Sequence, residues 1–349
     1  MIIPRTSIIS RTLRAGRLHH TTSCSSKNVV NIVEVGPRDG LQNEKGVIPV
    51  DVKVELINRL GSAGTRYIES GSFVSPKWVP QMAGTAEVIS QMERLPDNHY
   101  AVLVPNQKGL DNLFTLLDSY TPSSSQPNPP VNEIAIFTAA SDAFSRANTN
   151  ISIADSLTRF VPVVRAALER NLRVRGYIST VISCPFSGQV DYKQVRDIAK
   201  ELMDMGCYEV SLGDTVGTGT PASVAEMVEE VKKSVPVENL AGHFHDTFGT
   251  GVVNVLTALQ HGIRTVDSSV GGLGGCPYSP GATGNVATED VLYALQGSEY
   301  DVSYIDLEKI VDIGWWISEK LARENTSRAG RAVKARRLRE AKQAEKAKL

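Results

Sequence analysis

A chain of 349 residues can bury a large core, and the roughly two domains suggested by that length reduce to one if an α/β barrel of about 250 residues fits. The formal net charge of -1 conceals an asymmetry: residues 1–33 carry Arg5, Arg11, Arg14, Arg17 and Lys27 with no acid, and residues 320–349 carry eleven Lys and Arg against Glu324, Glu340 and Glu345. The stretch between is therefore acidic, so nucleic acid is not an expected partner, and no run of 18 or more apolar residues offers a transmembrane helix or a membrane partner.

Residues 1–28, rich in Arg, Ser and Thr, have the composition of a mitochondrial transit peptide; a disordered basic arm is the alternative. Cys24 lies in this leader, and the remaining Cys184, Cys207 and Cys276 are too few and too scattered for a disulfide framework. The β-branched run Val29–Val35 predicts a first strand that stops at the Gly36-Pro37 turn, and Val54, Ile57 and Leu60 give residues 51–60 helical spacing. Further strands are predicted at 66–70, 100–104, 133–138, 174–180, 208–212, 240–245 and 265–269. Helices are predicted between them near 84–93, 109–119, 152–170, 191–205, 221–234 and 249–261.

Eight strands alternating with helices favour a (β/α)8 TIM barrel over residues 29–300, with an open doubly wound sheet as the alternative. Residues 121–130, with four prolines and no periodicity, read as a surface insertion between the third helix and the fourth strand. Residues 301–349 form a separate C-terminal extension: a helix over 305–321, with Trp315 and Trp316 packing back on the body, and then a basic tail, mobile or helical. The chain ends Ala347-Lys-Leu349, which matches a Ser-Lys-Leu type peroxisomal address and predicts a possible second pool there.

Active sites of such barrels lie at the C-terminal ends of the strands. The first strand leads to Arg38 and Asp39, the second ends at Glu69, the fifth carries Arg175 and Thr180, and the sixth ends at Asp214. On the seventh, His243 and His245 are one residue apart, so both side chains take the same face with Cα atoms roughly 6.6 Å apart. Any one of these residues alone could be structural. Together with Asp39 and Asn285 the histidines make a mixed nitrogen and oxygen set without thiolates, which favours Mg²⁺ or Mn²⁺ as cofactor over a structural zinc. Glycines 271, 272, 274 and 275 lack dinucleotide-fingerprint spacing and instead suggest a lid that carries the Cys276 thiol; a free packed cysteine is the plain alternative.

Five blocks carry a resemblance: Val33–Lys45, Ser72–Met82, Met205–Thr215, His243–Thr247 and Gly274–Tyr278 running on to Gly284 and Asn285. Across residues 29–300 the chain resembles the 3-hydroxy-3-methylglutaryl-CoA lyase family, whose barrel and His-x-His strand are shared with condensing enzymes such as the isopropylmalate synthases. The resemblance implies cleavage of 3-hydroxy-3-methylglutaryl-CoA to acetyl-CoA and acetoacetate, in leucine breakdown and ketone-body formation. It implies Asp39, His243, His245 and Asn285 as ligands of a divalent cation, Arg38 beside the enolate oxygen, Cys276 as the loop thiol handling the carbanion's proton, and Glu69 as a polar partner. Asp39 is counted with the catalytic residues as well. Arg38, Lys45, Arg175 and Asp214 are the expected contacts of the acyl-CoA substrate, and a homodimer in the mitochondrial matrix is the expected assembly. A condensing enzyme should carry an additional domain, and only about fifty residues follow the eighth unit; a silent scaffold should have lost ligands, and all are present.

Overall fold

The computed structural model describes residues 28–121, 129–275 and 284–347. The leader up to residue 27, Cys276, most of the 121–130 insertion and the last two residues of the terminal tripeptide lie outside these ranges.

Eight strands close a parallel barrel: β1 (Asn31–Glu34), β2 (Tyr67–Ser72), β3 (His99–Leu103), β4 (Glu133–Ala139), β5 (Arg173–Ser179), β6 (Glu209–Asp214), β7 (Leu240–Phe244) and β8 (Thr265–Ser268). They follow one another in chain order around the wall, and β8 pairs back onto β1 with Asn31 opposite Thr265. The (β/α)8 reading therefore holds and the open sheet does not. Crossover helices include α1 (Val50–Ser62), α2 (Thr85–Gln91), α3 (Gln107–Ser119), α4 (Asp142–Thr149), α5 (Ile153–Glu169), α6 (Tyr192–Met205), α7 (Pro221–Val231) and α8 (Gly251–Gln260). Among the described residues no helix is long and apolar enough to cross a membrane.

Local chemistry explains the helix starts. Asn106, Ser152, Asp191 and Thr220 precede α3, α5, α6 and α7, and each side chain accepts a backbone N–H of the first turn. The helices lay apolar stripes on the outward faces of the strands, where Ile32, Ile68, Val102, Ile134, Val174, Val210 and Val266 are fully or almost fully buried. The barrel interior is different. Arg175 of β5 reaches Asp267 of β8, and Tyr177 of β5 reaches Glu69 of β2; these strands are not neighbours, so the contacts cross the lumen. Charged pairs fill positions that branched aliphatic residues usually occupy.

The expected C-terminal helix spans Leu307–Lys320 (α10), with Trp315 and Trp316 packed on the core, and it follows α9 (Thr288–Leu295), which periodicity did not predict. The tail is a second helix, α11 (Arg328–Lys346), whose Val333 is buried against the body.

Candidate active site

Beyond β1 the chain makes one wide helical turn, Gly36–Gly40, closed by the Gly40 N–H donating to the Val35 carbonyl at 3.0 Å. A Cβ on Gly40 would stand 2.7 Å from Leu273 Cβ and 2.8 Å from Ser269 Oγ, so only glycine lets this turn press against the end of β8. The turn projects Arg38 and Asp39 together. Arg38 Nη1 donates to Asp39 Oδ1 at 2.7 Å, and Nη2 meets Glu69 Oε2 at 2.7 Å.

The β7 histidines do share a face. His243 Nε2 and His245 Nε2 stand 3.4 Å apart, and with an Asp39 carboxylate oxygen their ligating atoms lie within 4.8 Å of one another. His243 Nδ1 bonds Asp267 Oδ2 at 3.1 Å, which assigns the proton to Nδ1 and turns the Nε2 lone pair toward Asp39 and His245. Asn285 arrives from the far side of the glycine-rich loop. Its segment pairs with the end of β7: Asp246 N–H donates to the Gly284 carbonyl and Val286 N–H to the Phe244 carbonyl. Gly284, at φ +95°, passes so close to Gly274 that a Cβ would lie 2.4 Å from its carbonyl carbon. Asn285 Nδ2 donates to Asp39 Oδ2 at 2.9 Å and to the Leu273 carbonyl at 3.2 Å, leaving its Oδ1 as the acceptor for a cation. Two imidazole nitrogens, a carboxylate and an amide oxygen fit a divalent ion.

Electrostatics match this geometry. Burial disfavours the charged form of Asp39, but Arg38, His243 and His245 outweigh it and hold the carboxyl below its ordinary range. Burial and the neighbouring His243 push His245 down to about 4, so it is a neutral donor at pH 7. Burial would also lower His243, yet the bond and charge of Asp267 and the charge of Asp39 raise it. For Glu69 burial prevails over Arg38, and its carboxyl is raised. Glu69 Oε1 and Arg38 Nε are buried without a hydrogen-bond partner among the described residues.

Several placements differ from the sequence reading. Glu69 does not end β2; the strand continues to Ser72, and Glu69 points into the lumen at mid-strand. Arg175, expected at the mouth as a substrate contact, is 1% exposed and is held in the barrel interior by Glu209, Tyr177 and Asp267. Asp214 does end β6, but its carboxylate accepts the N–H groups of Gly217, Thr218 and Gly219 and so serves the following turn. Thr180 takes a left-handed turn conformation just beyond β5 (φ +59°), and Lys45 is exposed on the loop before α1. Asp267 and Tyr177 escaped the sequence reading. Their signal was alternation: Arg175 and Tyr177 on β5, and Asp267 on β8, sit two residues from other lumen positions.

The base of the glycine-rich loop is pinned beside the site. Asn43 Nδ2 donates to the Gly275 carbonyl at 2.8 Å, the Gly271 N–H donates to Glu289, and Thr326 Oγ1 donates to the Gly271 carbonyl at 3.0 Å.

The HMGL-like family profile matches residues 29–317. A Pseudomonas aeruginosa protein described as 3-hydroxy-3-isohexenylglutaryl-CoA/hydroxy-methylglutaryl-CoA lyase is 53% identical over 307 residues, covering 88% of this chain and 98% of that protein. The mitochondrial hydroxymethylglutaryl-CoA lyase of Bos taurus is 44% identical over 332 residues, covering 95% and 97%. The crystal structure of hydroxymethylglutaryl-CoA lyase from Pseudomonas aeruginosa superposes with a TM-score of 0.83 at 52% identity, covering 88% of this chain and 98% of that one.

Proposed function

The chain belongs to the HMGL-like family, and from that premise we propose that it cleaves 3-hydroxy-3-methylglutaryl-CoA to acetyl-CoA and acetoacetate at the mouth of its barrel. The observation that carries this reading is the convergence of Asp39, His243 and His245 within 4.8 Å beside the buried Arg38–Glu69 pair. We assign Asp39, His243, His245 and Asn285 as the residues that would hold a divalent ion, Mg²⁺ or Mn²⁺. Such an ion supplies Lewis-acid polarisation of the substrate's oxygens, which eases removal of the tertiary hydroxyl proton.

The protein groups complete the reaction. Glu69, raised by burial and with Oε1 free of hydrogen bonds among the described residues, is the better matched of the two carboxylates to accept that proton. As the hydroxyl carbon becomes the ketone of acetoacetate, its bond to the carbon next to the thioester breaks, and the electron pair passes into the thioester as an enolate. Arg38, fixed between two carboxylates, faces that developing charge; a preorganised donor of this kind is worth about 3 kcal/mol. Cys276 then gives its thiol proton to the enolate carbon, completing acetyl-CoA, and the proton taken up by Glu69 restores the thiol through solvent. Arg175 and Asp214, committed to other bonds, are withdrawn as substrate contacts, whereas Lys45 on its exposed loop remains one.

The composition of residues 1–28 and the mitochondrial Bos taurus relative support a matrix address, with Ala347-Lys-Leu349 directing a peroxisomal pool; a homodimer is the assembly we favour. Incubating the purified chain with 3-hydroxy-3-methylglutaryl-CoA tests the reaction. Acetoacetate should form, stop on chelation and resume when Mg²⁺ or Mn²⁺ is returned, and His243→Ala should abolish it. Turnover that survives chelation would overturn the metal assignment; failure to release acetoacetate would overturn the lyase reading.

A further inference from the structure

Beneath the site lies a buried relay that the reaction above does not use. Arg175 directs all three guanidinium nitrogens at carboxylates or a phenol: Nε donates to Glu209 Oε1 at 2.7 Å, Nη1 to the Tyr177 hydroxyl at 2.7 Å and Nη2 to Asp267 Oδ1 at 2.8 Å. Asp267, 2% exposed, uses its other oxygen for Ser211 Oγ at 2.7 Å and His243 Nδ1 at 3.1 Å. A guanidinium, a carboxylate and an imidazole thus run in line from the barrel interior to His243 Nε2.

We propose that Arg175 and Asp267 are positioning residues which hold the His243 ring and its Nδ1 proton so that Nε2 is offered to a divalent ion. The proposal rests on the metal-centre reading and deepens it, since neither residue touches the ion or the reacting atoms. Two features of the contacts favour positioning over simple bracing of the barrel. First, Asp267 divides its oxygens: Oδ1 takes the charge partner, which leaves Oδ2 oriented for the imidazole. Second, the guanidinium is itself anchored by Glu209 and Tyr177, so the one bond it gives Asp267 comes from a fixed donor, and that bond on Oδ1 together with Ser211 on Oδ2 sets the carboxylate's rotation. Without Arg175 the buried Asp267 carboxylate would lose its counter-charge, and its hold on the ring would be lost with it.

Mn²⁺ binding, followed by the electron paramagnetic resonance signal of free Mn²⁺, tests the relay without relying on turnover. Asp267→Asn keeps the size of the side chain; with its single oxygen on Arg175 Nη2, its amide NH2 faces His243 Nδ1 and Ser211 Oγ and can no longer accept the imidazole proton. Its Mn²⁺ Kd should rise 10–100-fold, the range typical of partners that orient metal-bound histidines, in a variant whose circular dichroism reports a folded barrel. Raised Mn²⁺ should recover much of its kcat. Arg175→Lys keeps the charge but not the fork; it should weaken binding in the same sense by a smaller factor, and it serves the same comparison if the Asn variant does not fold. An unchanged Kd in a folded variant overturns the positioning role and leaves the metal centre standing. A wild-type protein that binds no Mn²⁺ overturns the metal centre, and this proposal with it.

Discussion

Arg38 shows why residue identity matters more than charge at this site. Its two terminal nitrogens meet Asp39 and Glu69 at 2.7 Å each, and its guanidinium lies 5.5 Å from the centre of the Tyr177 ring. Burial alone would make that cation less basic, but Glu69 and Asp39 outweigh it and raise its pKa, so Arg38 stays charged throughout the working range. A lysine could not make the same two-pronged contact. In the proposed reaction Cys276 supplies the other half of the chemistry. Under the proton-donor assignment, Cys276→Ala should bind Mn²⁺ as the wild type does and lose kcat by roughly 10²–10⁴-fold. A rate within twofold of wild type would reduce Cys276 to a packing residue. At this scale the sequence reading named Asp39, His243, His245 and Asn285, which the structure brings together, because metal-binding chemistry restricts residue type. It expected Arg175 at the mouth and did not foresee that Asp214, rightly placed at the end of β6, spends its carboxylate on the following turn, because a charged residue near a strand end looks the same whether it faces the mouth, the lumen or its own turn.

The elements that place those residues were legible to different degrees. Helices with an oxygen-bearing cap and a long apolar stripe, such as α5 and α6, fall within a residue or two of their predicted spans. The eight-residue α4 and α9 carry about two turns each, too few for periodicity to stand out. Yet α9 is what joins the site to the C-terminal extension. Its Asp290 accepts Ser327 Oγ at 2.7 Å and the Arg328 and Ala329 N–H groups at 3.1 and 2.7 Å, satisfying the open first turn of α11. Asp290→Ala should therefore lower stability by about 2 kcal/mol, measured in urea, and release α11 to proteolysis first. Equal protease resistance in wild type and variant would show that α11 is held by Val333 and its surface ion pairs instead. Those pairs, Arg336 and Arg337 with Glu308 and Arg337 with Asp312, are exposed, and each is worth roughly 0–1 kcal/mol.

Across the whole molecule, the alternation of eight strands with helices made the barrel readable, because parallel strands need long crossovers and the covered outer faces need apolar runs. What sequence could not reveal is that acids are also stored out of water. Glu34 and Glu289 are fully buried around the roots of β1, β8 and the glycine-rich loop. Burial drives Glu34 up to about 7 despite bonds from Thr288, Val270 and Gly36. Burial, with added repulsion from Asp290 and Glu34, drives Glu289 up to about 8 against the bond from Gly271. A carboxyl whose folded pKa exceeds its unfolded value near 4.5 holds its proton in the folded state across that interval. Its contribution to stability is therefore complete below about 4.5 and disappears as pH rises through about 8. His245, lowered to about 4, acts in the opposite sense between there and its unfolded value, stabilising as pH rises, so the wild-type curve alone would mix the two. The difference between wild type and Glu289→Gln separates them. The amide imitates the protonated acid, so the two proteins should be similar in urea unfolding at pH 5, and by pH 9 the variant should be more stable by on the order of a few kcal/mol. Stability curves that run parallel from pH 5 to pH 9 would mean that Glu289 is ionised in the folded protein throughout, with the Gly271 N–H sufficient to hold its charge.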